Sequence, residues 1–291
     1  MSNIIVDQSY LEWPFFEEHH RKLATDLEVW CQKNLKDIDH SNVDQACKDI
    51  LKKLADGRWL KYVVPKIYGG IFEDFDVRSL CIIRETLARH DGLADFVFAM
   101  QGLGSGTITL FGSKAIQSEY LPSVVNGIKI AAFALTELES GSDVANMTTT
   151  AERKDDHYII NGAKTFISNG GIADYYVLFA RTADAPGAKG LSAFILDADT
   201  NGLEIAERIN VTAPHPLATL TFKNCKIDKA KRLGKSGDGF KAAMMTLDIF
   251  RTTVGAAALG FSRRALSDAA SRTSDRHLFG APLHNLQLVQ G

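Results

Sequence analysis

The stretch from Phe133 to Val144, FALTELESGSDV, ends an apolar run on Thr136-Glu137 and passes into a small, polar, glycine-containing loop with three acidic residues. By composition alone such a loop is either a surface turn or the holder of a ligand. A second candidate is Arg251. Phe240, Met244, Leu247, Arg251, Val254, Ala258, Phe261 and Ala265 recur at alternating steps of four and three, one stripe of a long helix that the arginine interrupts. A buried arginine needs partners. Asp248 offers either an intrahelical ion pair at the rim or a functional pair. His215 stands between Pro214 and Pro216, which fits a rigid exposed loop and, in the sharper reading, a residue lining a pocket. The four cysteines, Cys31, Cys47, Cys81 and Cys225, show no C-x-x-C spacing. Neither a disulfide framework nor a zinc site is expected, and the thiols read as buried in a reducing cytoplasm.

The elements that must position these residues fall into three zones. Residues 1–128 have a helical texture. SNVDQACKDILKKLADG opens with a Ser41-x-x-Asp44 capping pattern and stops at Gly57, and DVRSLCIIRETLARHDG repeats the scheme. A third helical stretch, SKAIQSEYLPSVVNG, is expected to be interrupted at Pro122. Residues 129–235 change period to short β-rich runs, among them IAAFALT, HYII, KTFIS, YYVLFA, LSAFIL and LATLTF, parted by Asp155-Asp156, Asn161-Gly162, Gly170-Gly171 and Asn201-Gly202. Asn161-Gly162 predicts a type I′ hairpin, and many short strands at this spacing predict a small barrel or sandwich. Residues 236–291 return to the helical period. The helix–β–helix order predicts an α+β fold. No G-x-G-x-x-G follows a strand, which argues against a Rossmann domain.

The bulk properties are those of an ordinary globular protein. The 291 residues are 45% hydrophobic and 23% charged, and the formal net charge of -2 offers no field for nucleic acid or an anionic membrane. MSNIIVDQSYLEW lacks the basic and long apolar regions of a signal peptide and the Arg-rich character of a mitochondrial presequence. No apolar run reaches the roughly 18 residues of a membrane span. A cytoplasmic protein is expected.

Several stretches, in order, resemble the flavin-dependent acyl-CoA dehydrogenases: VPKIYGG, EYLPSVVNG, AFALTELESGSDVANMTTTAER, YIINGAKTFISNGGIADYYVLFAR, LGKSGDGFKAAMMTLDIFR and DRHLFGAPLHNLQLVQ. The resemblance runs from about residue 15 to the end of the chain, and its two strand motifs, T-E-x-x-x-G-S-D and I-N-G-x-K-x-x-I-S/T-N-G, are long and specific. It implies an N-terminal helical domain, a middle β domain for flavin and thioester, and the start of a C-terminal helical domain. It further implies FAD, an acyl-CoA thioester as substrate, electron-transfer flavoprotein as electron acceptor, and a homo-oligomer, tetramer or dimer. In the family a carboxylate takes the α-proton while the β-hydrogen leaves as hydride to the flavin, giving the trans-2-enoyl thioester. Reduced flavin carries negative charge, so oriented N–H groups beside it favour reduction.

Carried over residue by residue, the resemblance gives Leu135 and Thr136 the backbone donors to the flavin, with Phe133 and Ile167 flanking. Ser168 takes the hydroxyl beside the flavin, and Phe166 the aromatic ring next to it, where tryptophan is frequent. Ser142 takes the contact to the thioester and neighbouring flavin groups. Glu137 and Asp143 read as peripheral to the site. Arg276 and Phe279 match positions that reach the FAD of a neighbouring subunit and Gln287 a position near the dinucleotide, while Leu278 replaces the usual threonine there. Asp248 and Arg251 match a substrate-pocket pair.

The chain also departs from the pattern. Family members continue beyond the position of Gly291, and in most of them the catalytic glutamate lies in that continuation. A minority carry it just before the arginine, where this chain has Phe250, so the catalytic base is unassigned. Phe250 is expected near the pocket, disfavouring long straight acyl chains. VTAPHPLATLTF replaces a Gly-, Arg- and Ser/Thr-containing stretch, and Leu138-Glu139-Ser140 replaces the proline and glycine after Thr-Glu. Three readings follow: a partial copy of an acyl-CoA dehydrogenase, an equally partial enzyme for carrier-protein thioesters or cyclic acyl groups, or a non-catalytic flavoprotein or partner subunit whose companion supplies the base.

Overall fold

Side chains that take up free N–H groups start most of the N-terminal helices. In the computed structural model, which describes residues 7–182 and 185–290, helices α1 (Glu18–Asn34), α2 (Val43–Asp56), α3 (Val77–His90), α4 (Gly92–Phe111) and α5 (Lys114–Val125) precede the strands. The first six residues of the stretch read for a leader lie outside the described residues. The cap of α2 sits one residue later than the capping pattern placed it: Asn42 Oδ1 accepts from the Gln45 N–H at 3.1 Å. Asp91 caps α4 through the N–H groups of Leu93 and Ala94. At the start of α1, His20 Nδ1 accepts from the Glu17 N–H, so its Nε2 carries the proton donated to Asp76 at 2.8 Å. That bond ties α1 to the first turn of α3.

Pro122 does not interrupt α5, which runs on to Val125. Tyr120, Leu121, Val124 and Val125 are buried on both sides of it, and that packing outweighs one missing N–H.

The strands are β1 (Ala131–Ala134), β2 (Thr150–Arg153), β3 (His157–Ser168), β4 (Tyr175–Arg181), β5 (Leu191–Asp197), β6 (Leu203–Arg208), β7 (Leu217–Asp228) and β8 (Arg232–Leu233). They form one eight-stranded sheet in the order β6-β7-β3-β2-β4-β5-β8, with β1 parallel to β4. A single residue pair, Thr150 with Arg181, joins the two halves. Their faces meet in the core, where the rings of Tyr158 on β3 and Phe194 on β5 lie 4.8 Å apart.

Asn161-Gly162 does not turn the chain, because β3 passes straight through it. The pair makes a bulge against β7, with a register shift between Ile160 and Gly162. Gly162 is required for close approach: a Cβ there would lie 2.7 Å from Thr149 Cα. The hairpin turn is at Asp155-Asp156, where the Lys154 N–H donates to the His157 carbonyl.

After the sheet comes α6 (Gly239–Asp275), followed by β9 (His277–Leu278), β10 (Ala281–Pro282) and a short α7 (Gln287–Gln290). The stripe read from Phe240 to Ala265 is not the packed face of α6. The buried face is Gly239, Ala242, Ala243, Thr246, Phe250, Thr253, Ala257 and Gly260. Small residues let α6 lie close to α3, and a Cβ on Gly260 would meet the Glu85 carbonyl at 2.2 Å. Arg84 locks the three helices. Its guanidinium donates to both carboxylate oxygens of Asp95 at 2.8 and 2.7 Å and to Thr253 Oγ1 at 3.0 Å. Among the described residues no helix is long and apolar enough to cross a membrane.

Candidate active site

Where β1 ends, the chain leaves the sheet and opens a cavity of about 620 Å³ against α4 and α6. Its walls bring together Phe133, Leu135, Thr136 and Ser142 from β1 and the loop after it, Phe166, Ile167 and Ser168 from the end of β3, and Leu247 and Arg251 from α6. These residues span 119 positions of sequence, from 133 to 251, and only the sheet and helix packing assembles them.

The end of β3 is shaped for this wall. Between Lys164 and Ile167 its register against β7 shifts, and Phe166 takes a left-handed conformation with φ 55°. Such a conformation is strained for a bulky residue. It turns the ring outward instead of into the core, leaving Phe166 55% exposed on the cavity wall. Ser142 and Ser168 line the same space.

Behind the wall lies a pair that the sequence reading placed at the margin. Glu137 is buried, and its Oε1 accepts from Lys164 Nζ at 2.8 Å. The Glu137 carboxylate also accepts from the N–H groups of Thr148 and Thr149, at 2.6 and 3.0 Å. Burial alone would raise the Glu137 pKa; the Lys164 ammonium and these donors outweigh it and hold the group at about 2. Burial lowers the Lys164 pKa to about 8 against the pull of Glu137. At neutral pH the pair is therefore ionised. Glu137 is thus an anchor of the loop although it does not line the cavity, whereas Asp143, also read as peripheral, lines the cavity wall, stays exposed and accepts from the Asn146 amide.

Two further expectations change. Phe250 does not line the cavity. It is buried, in a notch between Gly102 and Gly106 of α4, with its ring 5.7 Å from that of Phe75. The residue before Arg251 therefore points into the helix packing, and its bulk does not narrow the cavity. Arg251 does face the cavity, but Asp248 does not line it. Asp143 is the one carboxylate among the residues on the cavity wall.

His215 satisfies both readings offered for it. It is half-buried in its proline-flanked loop, its ring is 4.8 Å from Phe96, and it lines a second cavity of about 520 Å³ with Arg84, Asp95 and Phe261. Met100 lines both cavities. Arg276, Phe279 and Gln287 lie apart, exposed at the C-terminal end around the β9–β10 pair, and Phe279 is 95% exposed.

Residues 17–128, 132–225 and 237–291 match, in turn, the acyl-CoA dehydrogenase N-terminal domain, middle domain and C-terminal domain. A Mycobacterium leprae protein named "Probable acyl-CoA dehydrogenase fadE25" is 34% identical over 280 residues, covering 94% of this chain and 71% of that protein. This chain belongs to the acyl-CoA dehydrogenase family. The protein of the same name from Mycobacterium tuberculosis is 38% identical over 229 residues, 78% of this chain and 58% of its own length. The matched stretch thus spans less than two thirds of that relative. The solved butyryl-CoA dehydrogenase of Megasphaera elsdenii superposes with a TM-score of 0.84 at 31% identity, covering 94% of this chain and 74% of that one. The α+β architecture of this chain, with helices before and after the strands, is similar to the fold of that enzyme.

Proposed function

We propose that the cavity between β1, β3 and α6 holds FAD and an acyl-CoA thioester, and that the protein takes part in α,β-dehydrogenation of the thioester. The observation that carries this is the convergence of Phe133, Leu135, Thr136, Ser142, Phe166, Ile167 and Ser168 on one cavity, in a member of this family. The residues fit such a cofactor. An outward-turned aromatic ring offers a flat apolar contact, two serine hydroxyls stand on the same wall, and among the described residues the Thr136 N–H has no acceptor that would compete.

FAD, when bound, supplies the two-electron acceptor for the hydride from the acyl β-carbon. The chain's own residues then orient and shield. Leu135 and Thr136 present backbone donors to the electron-rich edge of the ring, Phe166 covers a face, and Ser168 and Ser142 offer hydroxyls to cofactor and thioester. Arg251 brings a positive charge to the same cavity, where Leu247 and Met244 exclude water. Arg276 and Phe279, exposed on the C-terminal segment, would reach the FAD of a second copy and Gln287 would lie near the dinucleotide, which makes the working form a homo-oligomer. Asp248 completes the substrate-pocket pair only if its side chain turns towards Arg251. Residues 1–128, 129–235 and 236–291 form the three domains, and electron-transfer flavoprotein reoxidises the cofactor. The α-proton acceptor is not assigned to any residue of this chain, since Phe250 can take no proton.

Anaerobic titration of the purified, flavin-loaded full-length protein with a panel of acyl-CoAs tests this reading. Bleaching of the flavin absorbance by at least one acyl-CoA is expected. Failure of every acyl-CoA, with bleaching only by thioesters on a carrier protein, would move the substrate to the carrier. Failure of both would overturn the dehydrogenase reading.

A further inference from the structure

Lys164 lies on β3 with its side chain fully buried. Its ammonium donates to the Leu135 carbonyl at 2.9 Å and to Glu137 Oε1 at 2.8 Å, with Met147 Sδ at 3.5 Å. An ion pair of this kind is a poor source of net stability, because desolvation offsets most of its attraction. If it only stapled the loop, an apolar pair would serve as well.

The bond to Leu135 has a direction. Among the described residues no peptide is cis, and across a trans peptide the C=O and N–H point to opposite sides. The Leu135 carbonyl is drawn to the buried ammonium, so the N–H of Thr136, in the same peptide unit, points away from it. Thr136 lines the cavity, and its N–H donates to no described residue. The next peptide is held as well, because the Thr136 carbonyl accepts from the Thr165 N–H at 3.0 Å. An ammonium on a carbonyl also polarises the peptide and makes its N–H a stronger donor.

We infer that Lys164 is a positioning residue of the flavin site: through the Leu135 carbonyl it aims and strengthens the Thr136 N–H towards the part of the cofactor that becomes electron-rich on reduction. The inference rests on the reading of this cavity as the FAD site. A donor aimed at charge that develops only on reduction favours the reduced cofactor over the oxidised one. Lys164 therefore acts on the ratio of the two affinities, whereas a purely structural staple would weaken both alike.

The test is the two-electron midpoint potential of the FAD-loaded full-length protein, measured with the dissociation constant of oxidised FAD. Lys164→Met is expected to lower the reduced-to-oxidised affinity ratio about tenfold, a shift of about 30 mV to more negative potential. Glu137→Gln keeps the donor to Leu135 and is expected to leave the potential unchanged or more positive. Should Lys164→Met fail to fold, Lys164→Gln replaces it and is read for the same sign. Potentials unchanged by the Lys164 substitutions, or shifted alike by those of Lys164 and Glu137, would overturn the inference and leave the flavin site standing. Absence of FAD from the wild-type protein would overturn both.

Discussion

Phe250 is seated in the space that Gly102 leaves open: a Cβ on Gly102 would come within 2.5 Å of the ring edge. Gly106, one turn further along α4, comes within 3.0 Å by the same measure. Helix packing thus fixes the side chain that precedes Arg251. Gly102→Ala should overpack this contact and destabilise the protein by about 1–3 kcal/mol. The double variant with Phe250→Leu should recover part of that loss, because neighbouring substitutions couple. Urea unfolding measures both. Equal losses in the single and double variants would contradict the packing.

A charge buried between α3, α4 and α6 should be costly to orphan. Asp95 is 4% exposed and receives two bonds from Arg84. Burial raises its pKa, against the guanidinium beside it. Asp95→Ala leaves the arginine buried and unpaired, with an expected loss of about 3–5 kcal/mol. A denaturation midpoint close to wild type would refute that role.

Acid should loosen the loop behind the cavity. The folded Glu137 has its pKa lowered from 4.5 to about 2, so its contribution to stability is complete above the unfolded value. Between about 4.5 and about 2 the unfolded chain holds a proton that the folded one lacks, and the contribution is lost as pH falls. In Glu137→Gln the dependence of unfolding free energy on pH should be shallower by one proton across this window. An unchanged slope would show that the carboxylate titrates normally.

Phe166 offers an unusual combination of strain and exposure. Phe166→Gly relieves a left-handed φ at a ring that is 55% exposed. Stability of the flavin-free protein should stay within about 1 kcal/mol of wild type, instead of falling by the about 3–5 kcal/mol of a core phenylalanine. FAD affinity should drop. A large loss of stability would mean that the ring belongs to the core.

The loop end of β1 and the Phe166–Ser168 stretch, which share one cavity wall, were legible in the sequence because those motifs are local and long. The sequence concealed Lys164. A lysine in a strand reads as a solvated residue, although counting by twos from Tyr158 and Ile160 puts position 164 on the inward face. The bulge at Gly162 sits in the middle of that count. The same dipeptide misled as a hairpin, since a glycine at positive φ can also serve a bulge and only pairing with β7 decides between them. On α6 the first residues of the stripe, Phe240, Met244, Leu247 and Arg251, line the cavity, while the packed seam is Gly, Ala and Thr around Phe250. Close helix packing selects for small volume, which a count of hydrophobic residues does not see.

The central claim, that the cavity behind Phe166 and Thr136 holds FAD, is tested most directly by equilibrium titration of FAD into the flavin-free full-length protein, wild type and Phe166→Gly side by side. Saturation at one FAD per chain, with clearly weaker binding by the variant, is the expected result. No saturable binding, or equal affinity in the two proteins, would contradict it.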